Sequence, residues 1–300
     1  METTRLGRSD LEVSRVGLGC NNFGGRIDRR ATREVLDAAL EAGVTFLDTA
    51  DIYGGSKSEQ FIGEVLAGRR DRIVLATKFG QDETVPGPGG SREHLRRAHE
   101  LSLERLRTDV IDLYYYHRPD GETPLEETLG SMQELVDEGS VRSLGLSNVS
   151  AAQLESAVAT GIVVAAVQNR YSLLHRHDDA DVLPLCRAHE IGYIPYFPLE
   201  SGLLTGKYRR GEPSPAGARL TERDERLSAD AFSRVEALES LAEREGRTVL
   251  ELAIGGLASV PGIASVIAGA TSAEQVRSNA DAGTWHASAE QLDAIAEVAG

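Results

Sequence analysis

The chain has 300 residues, with 32 basic and 47 acidic side chains and a net charge of −15. Hydrophobic residues make up 41% and charged ones 26%, the balance of a soluble globular chain, and so negative a surface argues against nucleic acid and anionic membranes as partners. Two cysteines, Cys20 and Cys186, without CxxC spacing, argue against a disulfide framework and a zinc site. They fit a cytoplasmic protein, as does the absence of a secretory leader or a bilayer-spanning apolar run.

In chain order, a hairpin is expected over residues 4–13, turning at Gly7-Arg8-Ser9-Asp10 and placed to plug one end of a barrel. Short apolar runs then alternate with amphipathic stretches. The expected strands are 16–18, 45–47, 73–77, 111–116, 143–146, 165–168, 193–196 and 265–267. Near-continuous apolar strands alternating with helices mean parallel strands buried on both faces. Gly43 closes the first long helix. Thr123 is expected to cap a helix, with Pro124 first and Glu126 third within it. Ser150 and Gln153, Thr248 and Glu251, Thr271 and Glu274, and Ser288 and Gln291 have capping-box spacing. Eight such units favour an α/β fold of the (β/α)8 TIM-barrel type, a single domain over residues 1–300. An open doubly wound sheet is the alternative. The long connections 81–90 and 203–227 are candidate binding loops or lids.

Several motifs fail on inspection. Gly17-Leu18-Gly19 begins a dinucleotide fingerprint, but Asn22 stands where its third glycine belongs. The stretch from Gly202 to Lys207 is one residue short of a P-loop, and Tyr208 replaces its hydroxyl ligand. His175 and His177 read as loop residues rather than a metal clamp, so no metal is expected.

One constellation survives. In a barrel, the C-terminal strand ends converge on one mouth. Asp48 ends the second strand, Lys78 the third and His117 the fourth, and Tyr53 lies five residues after Asp48. A free tyrosine is a reluctant proton donor at neutral pH, and a nearby ammonium is expected to stabilise its phenolate and lower its pKa. A carboxylate that keeps the lysine charged completes a relay able to protonate a carbonyl oxygen as hydride arrives. His117 would orient that oxygen. Each residue has a plainer reading: a turn cap for Asp48, a core aromatic for Tyr53, a structural imidazole for His117, and a strand-end or Schiff-base lysine for Lys78. Their meeting at adjacent strand ends favours a site.

The motifs that carry these residues resemble the aldo-keto reductase family. FLDTADIYGGSKSEQFIGEVL, IDLYYYHRPD and EGSVRSLGLSNVS are similar to its early and middle signatures. VQNRYSLL, YFPLESGLLTGKY and VIAGATSAEQVRSNADA are similar to its cofactor segments. The resemblance covers nearly the whole chain. It implies a catalytic tetrad of Asp48, Tyr53, Lys78 and His117. It implies that Ser147, Asn148 and Gln168 meet a nicotinamide carboxamide and that Tyr196 stacks on the ring. Leu199, Gly202, Leu203 and Lys207 would line the pyrophosphate. Gly269, Ala270, Thr271, Ser272, Gln275 and Asn279 would hold the adenosine and 2′-phosphate, and Gly19, Cys20 and Asn21, with Asp48, would lie beside the cofactor. Gly269 and Gln275 are neutral where the family pattern is often basic, with Arg277 and Arg209 as candidate substitutes. Phe197 stands where a small residue is frequent.

The resemblance therefore implies NADP(H)-dependent reduction of a small aldehyde or ketone, with NAD(H) as the other cofactor. One rival is a cofactor-binding regulator on the same barrel, like potassium-channel β subunits. The other is a Schiff-base aldolase using Lys78. The substrate, the direction of the reaction and the oligomeric state, including a homo-oligomer, are left open.

Overall fold

The computed structural model describes residues 1–215, 217–221 and 224–299. A two-stranded antiparallel hairpin, β1 (Thr3–Arg5) and β2 (Glu12–Ser14), comes first. The strands that follow are β3 (Val16–Gly19), β4 (Phe46–Asp48), β5 (Val74–Phe79), β6 (Ile111–Tyr116), β7 (Val141–Ser147), β8 (Val164–Gln168), β9 (Gly192–Tyr193) and β10 (Val266–Gly269). They pair in parallel in the order β10-β3-β4-β5-β6-β7-β8-β9. Bridges from Tyr193 to Ile263 and from Tyr196 to Ile267 bring the last strands together, so the sheet curls into the expected barrel.

From β3 onward each strand is followed by helix. The helices are α1 (Arg29–Glu41), α2 (Lys57–Val65), α3 (Arg92–Leu106), α4 (Leu125–Asp137), α5 (Ala151–Ala159), α6 (Val182–Ala188), α7 (Ala229–Arg244), α8 (Val249–Glu251), α9 (Ala273–Ala282) and α10 (Ala289–Ala299). α1 shows why they form. Asp28 caps it by accepting from the Ala31 N–H at 2.9 Å, and Thr32, Val35, Leu36 and Ala39 recur at helical spacing to make one buried face. None of the helices among the described residues is long and apolar enough to cross a membrane.

The period of two along each strand positions the site. Phe46, Ala76, Leu113 and Ala166 point into the barrel, where they pack with Ile194 and Ile267. Two residues further on, the same parity turns Asp48, Lys78, Tyr115 and Gln168 inward. The hairpin seals the opposite end, since Leu6, Leu11 and Val13 pack against Ala165 and Ala264 in that same cluster. Gly7 makes this contact possible. At φ +53 a Cβ there would stand 2.5 Å from the Ala165 carbonyl oxygen.

Three local expectations need correction. Of the run 193–196 only Tyr193 lies in a strand, the two-residue β9, because Pro195 has no N–H for a ladder. Pro124, not Thr123, occupies the cap position of α4; the Thr123 hydroxyl donates to Asp120, whose carboxylate also takes the N–H groups of Gly90, Glu122 and Thr123. α9 is capped by Ser272 rather than Thr271, because Thr271 spends its N–H and hydroxyl on the Gln275 side-chain oxygen. The boxes at Ser150 and Thr248 form as expected, and the Ser288 and Gln291 bonds form at the head of α10.

Candidate active site

Asp48 and Lys78 are the last inward-facing residues of β4 and β5, and both are buried. Lys78 Nζ donates to Asp48 Oδ1 at 2.5 Å, to the Thr49 carbonyl at 2.9 Å and to the Tyr53 hydroxyl oxygen at 3.4 Å. Its three N–H bonds are thereby all used. Gln168 Nε2 donates to Asp48 Oδ2 at 2.7 Å, so both carboxylate oxygens are also held. Tyr115 closes the layer beneath, its ring centroid 5.8 Å from Lys78 Nζ. Gly145 leaves room for that ring, since a Cβ would come within 2.4 Å of it.

Burial works to discharge Lys78, but Asp48 and Tyr53 overcome it and hold its pKa above the ordinary value. Tyr53 differs from the expectation. Burial raises its pKa, and Lys78 opposes that rise without reversing it. Tyr53 is thus a protonated phenol at neutral pH, with a cation at its oxygen ready to stabilise the phenolate. The His117 ring stands edge-on to Tyr53, with centroids 5.9 Å apart. Burial, then the charges of Lys78 and Arg118, lower the His117 pKa to about 3, so it is a neutral imidazole. Its Nδ1 is sealed off without a partner. A proton on Nε2 therefore strands no donor.

The four residues meet at one end of a cleft of about 680 Å³. Its wall includes Asp48, Tyr53 and His117, with Lys78 behind them. From the expected cofactor set it includes Gly19, Asn21, Ser147, Asn148, Gln168, Tyr196, Leu199, Gly202 and Lys207. Gly269, Thr271, Ser272, Gln275 and Asn279 extend it to the head of α9. Cys20, Leu203 and Ala270 are buried in the core and lie outside the wall. Arg277 and Arg209 are also elsewhere, paired with Glu41 and Glu239.

Asn148 and Gln168 have less freedom than the resemblance implies. The Tyr196 hydroxyl donates to Asn148 Oδ1 at 2.7 Å, while Asn148 Nδ2 donates to the His117 carbonyl and to Ser147 Oγ. Asn148 is thus a bracket that fixes the Tyr196 ring, and its φ of +56 is one that asparagine tolerates. The wall also holds Arg118, directly after the fourth-strand His117, and Gln81 and Arg219, which come from the two long connections expected to bind; Arg26 and Glu274 are wall residues to which sequence reasoning gave no binding role. Arg26 donates to the Gly217 carbonyl at 3.0 Å, and Arg219 lies 5.5 Å from the Phe197 ring centre. Both come from loops without periodic pattern; the length of the connection 203–227 marked Arg219, and nothing comparable marked Arg26. Phe197, Glu200 and Ser201 all have positive φ, a tight turn held where Glu200 accepts from Arg170 at 2.6 Å and from Ser172 at 2.7 Å.

Comparison with known proteins agrees with this geometry. The sequence pattern of the Aldo/keto reductase family matches residues 15–299. The chain is 35% identical to the "Probable voltage-gated potassium channel subunit beta" of Arabidopsis thaliana, over 93% of this chain and 90% of that one. It is 34% identical to "Aldo-keto reductase YhdN" of Bacillus subtilis (strain 168), over 95% and 89%. Its fold is similar to the solved "aldo-keto reductase AKR11C1 from Bacillus halodurans (holo form)", with a TM-score of 0.85, 30% identity and coverage of 100% and 97%.

Proposed function

Because the chain belongs to the aldo/keto reductase family, we propose that it reversibly reduces an aldehyde or ketone to an alcohol, with Tyr53 giving and taking the proton. The observation that carries this reading is the spent ammonium of Lys78. Each of its N–H bonds has an acceptor, and one acceptor is the Tyr53 oxygen. The phenol proton of Tyr53 is therefore the one left to offer into the cleft. A Schiff-base lysine must instead be neutral and free to attack, which argues against an aldolase.

The cleft suits a nicotinamide dinucleotide. The half-buried Tyr196 ring offers a stacking face, and the Ser147 hydroxyl lies beside it. Arg26, Lys207 and Arg219 supply positive charge for a pyrophosphate in a chain that is otherwise strongly negative. Ser272, Gln275 and the N-terminus of α9 offer donors at the far end. These donors favour NADP(H) over NAD(H), and Glu274 opposes that preference. When bound, the nucleotide supplies the hydride.

In the reducing direction Tyr53 protonates the carbonyl oxygen. Lys78 stabilises the phenolate that results, and Asp48, itself fixed by Gln168, keeps Lys78 charged. His117 donates a ring N–H to the same oxygen and so orients the substrate. The test is Tyr53→Phe assayed with NADPH and a panel of aldehydes. Turnover should fall by at least about a hundredfold while cofactor fluorescence quenching persists. Near-normal turnover would defeat the assignment.

The relatives named as channel β subunits support a second reading, a nucleotide-binding regulator. Wild-type protein that binds NADPH but oxidises it with no carbonyl compound would favour that reading.

A further inference from the structure

We propose that the substrate carries an anionic group, a carboxylate or a phosphate, and that Arg118 pairs with it while the carbonyl sits at Tyr53 and His117. This rests on the reductase reading above and names its substrate class.

Arg118 directly follows His117 and lines the cleft with it, Tyr53 and Gln81. It is exposed, and among the described residues no carboxylate pairs with it. The next arginines along the chain are pinned, Arg142 by Asp112 and Arg170 by Glu200. The acid nearest the chemistry, Asp48, has both oxygens taken by Lys78 and Gln168. In a chain of net charge −15, Arg118 thus keeps an unspent positive charge beside the reacting position.

The remaining cleft cations form a separate station. The charge of Arg26 is felt at Lys207 and Arg219. The charge of Arg118 is felt at His117 and Tyr196. On the reading above the first station serves the cofactor phosphates, whereas the second has no role there beyond helping to keep His117 neutral. A guanidinium presents a planar fork of donors that matches carboxylate and phosphate geometry. Placed one residue after His117, it selects molecules with an anion a short chain away from the carbonyl.

The experiment compares matched pairs with NADPH: 4-oxobutanoate against butanal, and glyceraldehyde 3-phosphate against glyceraldehyde. In wild-type protein, kcat/KM for at least one anionic member should exceed that of its neutral partner by about tenfold or more. The pair that shows the preference identifies the anion. In Arg118→Gln the ratio should fall towards one through a rise in KM for the anionic member, and Arg118→Lys should keep part of it. A wild-type ratio near one in both pairs, or an unchanged ratio in Arg118→Gln, overturns this proposal and leaves the reductase reading standing. No oxidation of NADPH or NADH with any of the four overturns both.

Discussion

Gln168 donates to Asp48 Oδ2 at 2.7 Å from a strand four places along the sheet. This bond ties together two sides of the barrel mouth, and Lys78 holds the other oxygen. Gln168→Leu leaves a buried carboxylate oxygen without a donor, at a cost of about 1–3 kcal/mol. Lys78→Met leaves Asp48 without its countercharge and should cost about 3–5 kcal/mol, most of it recovered when Asp48→Leu is added. Urea unfolding of the three variants measures these differences. A Lys78→Met protein as stable as wild type would mean that the pair does not hold the site together.

The same loop contains a carboxyl group that the proposed chemistry does not use. Asp51 is buried, and neither of its oxygens has a hydrogen-bond partner. Glu59 and Asp82 lie close to it, with Arg105 as their shared cation at 3.2 and 3.9 Å. Burial first, then those two acids, raise the Asp51 pKa from 3.8 to about 8. Across that window the folded protein holds a proton that the unfolded chain has released. Stability is therefore lost as pH rises, by about 1.4 kcal/mol per unit, and the loss is complete above about pH 8. Asp51→Asn removes the titration. Its Tm gain should be larger at pH 8 than at pH 5, and thermal melts giving equal gains at both would rule out the protonated carboxyl.

On the proposed reading, nucleotide choice turns on Glu274, the acid on the cleft wall at the head of α9. A carboxylate there suits a ribose hydroxyl and repels a 2′-phosphate. Glu274→Gln should shift the ratio of kcat/KM for NADPH over NADH upward by roughly tenfold, since about 1.4 kcal/mol of repulsion corresponds to that factor. Steady-state assays with both nucleotides decide it, and an unmoved ratio would place the 2′ position elsewhere.

Gly145→Ala tests the layer under Lys78. The new methyl group would meet the Tyr115 ring at 2.4 Å. The ring must shift, costing about 1–3 kcal/mol of stability, and turnover should fall because Lys78 loses its floor. Calorimetry and kcat together check this, and an unchanged Tm would show that the ring can yield freely.

The cluster proposed as catalytic was legible because strand ends in a barrel are convergent and Asp48, Lys78 and His117 close three successive strands. The proposed cofactor wall was legible only by segment. A contiguous motif contributes some residues to a wall and turns others away: Gly19 and Asn21 face the cleft but Cys20 between them does not, and Gly269 and Thr271 flank the buried Ala270. Arg219 was marked only through the length of its connection, 203–227, and Arg26 not at all, because loop residues are brought to the cleft by tertiary packing alone. The net direction of the Tyr53 shift was misjudged because burial depends on neighbours far along the chain.

The two-residue alternation of the strands also governs how this protein can change. One residue inserted within β5 ahead of Lys78 would turn that lysine toward the helices and present its neighbour to the cleft. Such an insertion removes the ammonium without altering any of the four proposed catalytic side chains. The strands are therefore intolerant of single-residue length changes, while the connections 81–90 and 203–227 can change length wherever they do not carry a residue of the cleft wall. Length changes at the rim can thus alter what the cleft accepts while the strand ends keep the proposed proton relay in place.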